Sequence, residues 1–305
     1  MPAELITSAH NPKIKRLLAL QKDSSLRREC GLFVVEGQRE LQHCIDAGFE
    51  IDSLFICPSL FHSGPGDAVS PNFALRAHPS QPGGWAPPSN VSEGGHGFVT
   101  QVPTPVAVTA AAKVFEVSEA VYEKVAYRGG TEGVIAEVRS KDLRLEDLKL
   151  PESPLIVVLE SVEKPGNLGA VLRSADAAGA DAVLVCDPLT DLWNPNLIRA
   201  SIGSIFTVPC VACSSGEAIS WLKANGVKIL TAQLQDSSLY YDTPMCGATA
   251  IVMGTESTGL SQQWRSAADA HIRIPMLGRL DSLNVSVSAA ILLFEAVRQR
   301  QTANN

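Results

Sequence analysis

The residues whose types and spacing could do chemistry fall in three stretches of the second half of the chain. The first is Asn167-Leu168-Gly169-Ala170-Val171-Leu172-Arg173, with Pro165-Gly166 before it. The second is Gly254-Thr255-Glu256-Ser257-Thr258-Gly259-Leu260, and the third runs from Ile274-Pro275-Met276-Leu277-Gly278-Arg279 to Ser282-Leu283-Asn284-Val285-Ser286. Each follows a short apolar run of strand type, and the first opens a helix, so amide, carboxylate, hydroxyl and guanidinium groups are offered where strands end. Groups of that kind bind and polarise a small polar ligand.

Other chemistries lack their parts. The 6 histidines, His10, His43, His62, His78, His96 and His271, form no ligand-spaced pair, so neither a metal nor a His-based triad is indicated. The 7 cysteines are scattered, which argues against a disulfide framework, and Cys210-Val211-Ala212-Cys213 has no second Cys pair or nearby His to complete a zinc site. A Gly-rich turn between strand and helix also cradles pyrophosphate, but G-x-G-x-x-G laid on Gly166 would need glycine at Leu168 and Val171. No Walker-type Gly-Lys-Ser or Gly-Lys-Thr occurs.

The elements that must position these stretches are readable. Apolar runs at 155–159, 182–186, 205–211, 227–232, 248–253 and 271–275 alternate with helical segments, predicting a mainly parallel sheet covered on both faces. Ligands on such sheets bind beyond the carboxyl ends of the strands, so the three loops should converge there. A final helix over 285–300 carries Val285, Ala289, Leu292, Leu293 and Ala296 as a packing stripe. The first half reads as helix 13–21, strand 32–35, helix 36–47 and strand 54–57, with further strands at Lys113–Val117 and 133–138. Between them, 62–105 is rich in Pro and Gly and cannot build a core. A charged linker, 141–154, separates the halves.

With 305 residues, 45% hydrophobic and 19% charged, the chain reads as a two-domain globular protein. Residues 1–18 show no cleavable leader, and no apolar run approaches the ~20 residues that span a bilayer, so a cytoplasmic location and no membrane partner are expected. Net charge is −7, yet Lys13, Lys15, Arg16, Lys22, Arg27 and Arg28 face only Asp23 in the same segment. That segment is either a face that tracks a nucleic-acid backbone or an ordinary solvated helix surface.

In residues, order and spacing the three stretches resemble the three motifs of the SpoU (TrmH) family of RNA ribose 2'-O-methyltransferases. The resemblance implies a deep trefoil-knotted α/β domain of the SPOUT type, S-adenosylmethionine (AdoMet) as cofactor without a metal, a homodimer, and methylation of a ribose hydroxyl in RNA, rRNA before tRNA. The knot rests on resemblance alone, because threaded connections are excluded by default. The pattern around Phe33-Val34-Val35-Glu36-Gly37 and Gly133-Val134-Ile135-Ala136 resembles the small substrate-binding domain of many SpoU enzymes, related to ribosomal kink-turn-binding proteins. The implied division is an RNA-binding α/β domain over 1–145, carrying the insertion at about 62–105, and a methyltransferase domain over 152–302.

The same resemblance assigns the site. Arg173 is matched to the hydroxyl-activating position; a guanidinium with a pKa above ~12 is a poor base, so phosphate binding and oxyanion stabilisation are its expected tasks. Asn167, which could simply cap the helix, is matched to orienting Arg173 or the ribose, and Glu256 to a positioning carboxylate. Ser282 and Asn284 complete the catalytic set, although capping of the final helix is their plain structural role. Gly254, Ile274, Met276 and Leu283 match positions whose backbone groups line the adenosyl pocket, with Gly259 and Gly278 beside them. Two other functions fit the fold: a non-catalytic RNA-binding or assembly factor, which AdoMet titration would separate, and an RNA base methyltransferase, which would leave no alkali-resistant dinucleotides.

Overall fold

The computed structural model describes residues 3–61, 112–127, 132–255, 258–279 and 281–303, so the expected insertion at 62–105 lies outside the described residues. In chain order the first half runs β1 (Glu4–Ile6), α1 (Pro12–Lys22), α2 (Ser24–Cys30), β2 (Leu32–Glu36), α3 (Gln38–Asp46), β3 (Ile51–Ile56), β4 (Lys113–Val117), α4 (Glu119–Val125) and β5 (Val134–Arg139). Its strands form one sheet in the order β1-β4-β3-β5-β2, with β5 antiparallel to both neighbours and the other pairs parallel. The segment from α1 to α2 shows how local chemistry sets boundaries. Asn11 accepts from the Lys13 backbone N–H at 2.9 Å and Pro12 opens α1. Asp23 then ends α1 and caps α2 by accepting from Ser25 and Leu26.

The second half runs β6 (Leu155–Glu160), α5 (Pro165–Ala177), β7 (Ala182–Cys186), α6 (Pro195–Ala200), α7 (Ser204–Thr207), β8 (Cys210–Cys213), α8 (Ser215–Ala224), β9 (Lys228–Ala232), β10 (Ser238–Leu239), β11 (Thr249–Met253), α9 (Gln262–Ala267), β12 (Ala270–Arg273) and α10 (Val285–Ala303). The 7-stranded sheet has the order β10-β12-β9-β11-β6-β7-β8, and its strand pairs are all parallel. One expected strand is corrected: 205–211 splits into the helical turn α7 and strand β8, because the backbone breaks at Val208-Pro209, where proline cannot continue a helix. Short apolar runs do not distinguish a buried helical turn from a strand.

Strand alternation divides the core. Ile156, Val158, Leu184 and Ile229 pack under α8 and α9 with Leu222 and Trp264. Val157, Leu159 and Val183 face the other way, against Leu168, Leu172, Ala289 and Leu292 of α5 and α10. That second core does not stop at the sheet. It continues through Ile198, Ile205 and Phe206 into Phe33, Val35, Leu41 and Ile51 of the first half. Trp193, just before α6, stacks on Phe33 with centroids 4.6 Å apart, and Phe49 meets both rings edge-on. The remaining face of the first sheet closes separately under α1 and α4, through Ile14, Leu17, Phe55 and Tyr122. The two halves therefore share one core. Each is also tied to the other by charge: Arg27, 4% exposed, donates to Asp191 at 2.6 Å, and Arg199 lies 3.4 Å from Glu36 with its guanidinium over the Tyr127 ring.

This placement divides the basic segment. Lys13 pairs with Glu4 at 2.7 Å, Arg16 with the buried Glu137, and Arg27 with Asp191, so these three cations are occupied within the fold. Lys15, Lys22 and Arg28 are exposed and form no ion pair among the described residues.

Candidate active site

All three stretches leave the carboxyl ends of parallel strands, the edge at which open α/β sheets present ligands. The first becomes α5, which starts at Pro165. Asn167 therefore lies inside the first turn, not before it, and Lys164 holds the cap position without a side-chain cap bond. Gly169 is fixed by packing: a Cβ there would stand 2.5 Å from the Ala200 side chain and 2.7 Å from the Ser201 nitrogen, so only glycine lets α5 and α6 cross this closely. Arg173 is one helical turn beyond Gly169 and about 9 Å along the axis from Asn167. Its side chain is exposed and makes no ion pair or hydrogen bond among the described residues.

The third stretch returns to the first. Asn284 donates its side-chain amide to Asn167 Oδ1 at 3.1 Å. Its own Oδ1 accepts from the Ser286 backbone N–H at 3.0 Å and hydroxyl at 2.6 Å, and its carbonyl accepts from Val287 and Ser288. Asn284 is thus the cap of α10 and a tie to α5 at once. Ser282 and Leu283 are exposed just ahead of it.

The second stretch is a closed turn. Gly259 N–H donates to the Thr255 carbonyl at 3.0 Å, and the Thr255 and Thr258 hydroxyls lie 2.7 Å apart. A Cβ on Gly254 would come within 2.3 Å of the Gly259 carbonyl oxygen, and Gly259 has φ +68°. Both glycines are required by the loop's own backbone. Glu256, the expected positioning carboxylate, lies outside the described residues. The loop is anchored where it re-enters the fold: Ser261 N–H donates to Glu160 at 2.8 Å, so the last residue of β6 holds the exit of the turn after β11. Sequence reading missed Glu160; a carboxylate closing an otherwise apolar strand was the available signal.

Beside β12 opens a pocket of about 440 Å³. Ile274, Met276 and Gly278, three of the residues matched to the cofactor, line it together with Leu234, Arg273, Arg279 and Asp281, which were not matched to the cofactor. Leu234 follows the carboxyl end of β9, so the rule that such ends hold ligands could have found it. Gly254, Gly259 and Leu283 are not among the pocket's lining residues. A volume of this size accepts a small-molecule cofactor, and a lining that combines apolar and charged side chains fits an adenosine joined to an amino acid. The residues present therefore fit AdoMet. Among the described residues no group of His, Cys, Asp and Glu could hold a metal ion, and no helix is long and apolar enough to cross a membrane.

Comparison with known proteins covers both halves. The sequence profile of the SpoU rRNA Methylase family matches residues 154–294, and that of an MRM3-like substrate binding domain matches residues 11–76. The 23S rRNA (guanosine(2553)-2'-O)-methyltransferase RlmP of Bacillus subtilis is 36% identical over 146 residues, 48% of this chain and 59% of its own length. The match thus spans about three fifths of that relative. A crystal structure of an RNA 2'-O ribose methyltransferase is 36% identical, with a TM-score of 0.74 over 97% of this chain and 99% of its own. The AdoMet-bound rRNA methyltransferase of Sinorhizobium meliloti is 28% identical, with a TM-score of 0.76 over 98% of each chain.

Proposed function

The chain belongs to the SpoU rRNA methylase family, and we propose on that premise that it methylates a ribose 2'-hydroxyl of ribosomal RNA with AdoMet as donor. The observation that carries the reading is the meeting of α5 and α10 through Asn167 and Asn284, on the same strand edge as the pocket after β12. The names of the relatives support 23S rRNA as the substrate class, and hence action in the cytoplasm.

AdoMet supplies an electrophilic methyl group. The protein's tasks are to align the hydroxyl with it and to stabilise the charge that grows on oxygen as the proton leaves. Arg173 serves as the cation for that oxygen and the neighbouring phosphate; its lack of a partner among the described residues leaves its donors available to the substrate. Asn167 and Asn284 fix the start of α5, and so the direction in which Arg173 is presented. Glu256 and Ser282 are assigned to holding the ribose. Ile274, Met276 and Gly278 hold the adenosyl group in the pocket after β12, with Gly254, Gly259 and Leu283 supporting the loops around it.

The first half, 1–145, serves as the RNA-binding domain, and 152–302 as the catalytic domain, a division supported by the two separate profile matches. The expected trefoil knot is supported by the strand order: β11 is inserted between β9 and β6, while α10 returns from the outlying β12 to pack on α5. Val287 and Phe294 are exposed at spacing i, i+7 on α10, and Leu283 precedes them by one turn; that apolar stripe is read as the surface covered by a second copy.

The test is incubation of 23S rRNA with methyl-labelled AdoMet, followed by alkaline hydrolysis. Label in alkali-resistant dinucleotides is expected; label only in mononucleotides would mean base methylation, and none with an AdoMet-binding protein would mean a non-catalytic factor.

A further inference from the structure

The lining of the pocket after β12 combines apolar and charged side chains. Leu234, Ile274 and Met276 are among the first, and Arg273, Arg279 and Asp281 are the second. Arg273 closes β12, paired in register with Leu239 of β10, and donates to the Ser237 hydroxyl at 3.4 Å. Arg279 and Asp281 are exposed and form no ion pair among the described residues, although they are two residues apart. Two cations and one anion that form no ion pair among the described residues, in the lining of a ligand-sized pocket, match a zwitterion.

We propose that Arg273 and Arg279 bind the α-carboxylate, and Asp281 the α-ammonium, of the amino-acid end of the cofactor. The assignment rests on the AdoMet reading above and extends it from the adenosyl group to the methionine tail. Guanidinium forks match a carboxylate in geometry and charge, whereas a carboxylate accepts from an ammonium. The apolar lining residues then remain for the adenine. Binding the tail on β12 and the loop after it also restrains the sulfonium between the two ends.

The experiment compares two ligands by calorimetry on the full chain. S-adenosylhomocysteine carries the amino-acid end; 5'-methylthioadenosine carries the adenosyl thioether without it. The wild type should bind the first at least tenfold more tightly. Arg279→Gln, Arg273→Gln and Asp281→Asn should each weaken S-adenosylhomocysteine by about tenfold or more and change methylthioadenosine by less than about twofold. Thermal midpoints within error of wild type show that the pocket is intact; for Arg273, whose Ser237 hydrogen bond is structural, Arg273→Lys should recover part of the missing affinity. Equal losses for both ligands, or none, would overturn the assignment, as would a wild type indifferent to the tail. A wild type that binds neither ligand would remove the cofactor reading itself.

Discussion

Asn284 donates to Asn167 across 117 residues of sequence, joining the cap of the last helix to the first turn of the helix that bears Arg173. One side chain thus combines a local role, capping, with a long-range one. The two can be separated. Asn284→Asp keeps an oxygen acceptor for Ser286 but removes the donor to Asn167, so stability should change by less than about 0.5–1 kcal/mol while methylation falls at least tenfold. Asn284→Ala should lose both, costing about 1 kcal/mol more in stability than the aspartate. Full activity in Asn284→Asp, measured by methyl incorporation, would remove the Asn167 tie from the site.

Arg173→Ala is expected to lower the methylation rate by roughly 100-fold or more, the usual effect of removing one donor to an oxyanion or phosphate. Its AdoMet affinity should stay within a few-fold of wild type, because Arg173 is placed on α5 and not at the pocket after β12. Because the side chain has no partner among the described residues, the melting temperature should not move. A variant that turns over normally would end the assignment.

Gly169→Ala should behave oppositely. The added methyl meets Ala200 and the Ser201 backbone at 2.5–2.7 Å, so α5 and α6 must separate. Overpacking of that kind costs about 1–3 kcal/mol. A melting temperature at or above wild type, the usual result of Gly→Ala in a helix, would contradict the close crossing.

Much of this was legible in the sequence, and what escaped it has physical causes. The strands of the second half follow from apolar runs bounded by turns, and Pro165 marks the start of α5. Pattern could not show that Asn167 lies within the first turn, since an Asn ahead of an apolar helical run reads first as a cap. Nor could it show where a charge goes. Lys15 and Arg16 are neighbours in sequence and both exposed, yet only Arg16 reaches Glu137, 121 residues away. Gly254 was legible as a tight position but not as one filled by its own loop; only the fold places Gly259's carbonyl there.

The shared core gives a further expectation. A fragment beginning near Pro151 would expose Trp193 and Phe206, which Phe33 and Phe49 cover in the whole chain, and part of the shared core around Ile198 and Ile205. It should therefore melt lower than the full chain or aggregate. Arg27→Ala attacks the same junction from the other side, leaving Asp191 without its cation; breaking a buried pair of this kind costs about 3–5 kcal/mol. Denaturant midpoints of the two proteins check both statements, and a fragment as stable as the whole would mean that the junction is incidental.

If the first half grips RNA, the cations available to do so on its basic segment are Lys15, Lys22 and Arg28, not those held by Glu4, Glu137 and Asp191. A protein cation that neutralises a phosphate releases counterions, so affinity falls with salt, and each phosphate left unneutralised should reduce the logarithmic slope by about 0.7–0.9. The triple change of these residues to Gln should weaken rRNA binding and flatten its salt dependence, with melting temperature and AdoMet affinity unchanged. Arg27→Gln should instead lower stability, because its guanidinium is buried. Filter binding of an rRNA fragment over a series of salt concentrations distinguishes the two. If the slope of the triple variant equals that of wild type, α1 and α2 present only solvated charge, and the RNA is held by the crevice around Arg173.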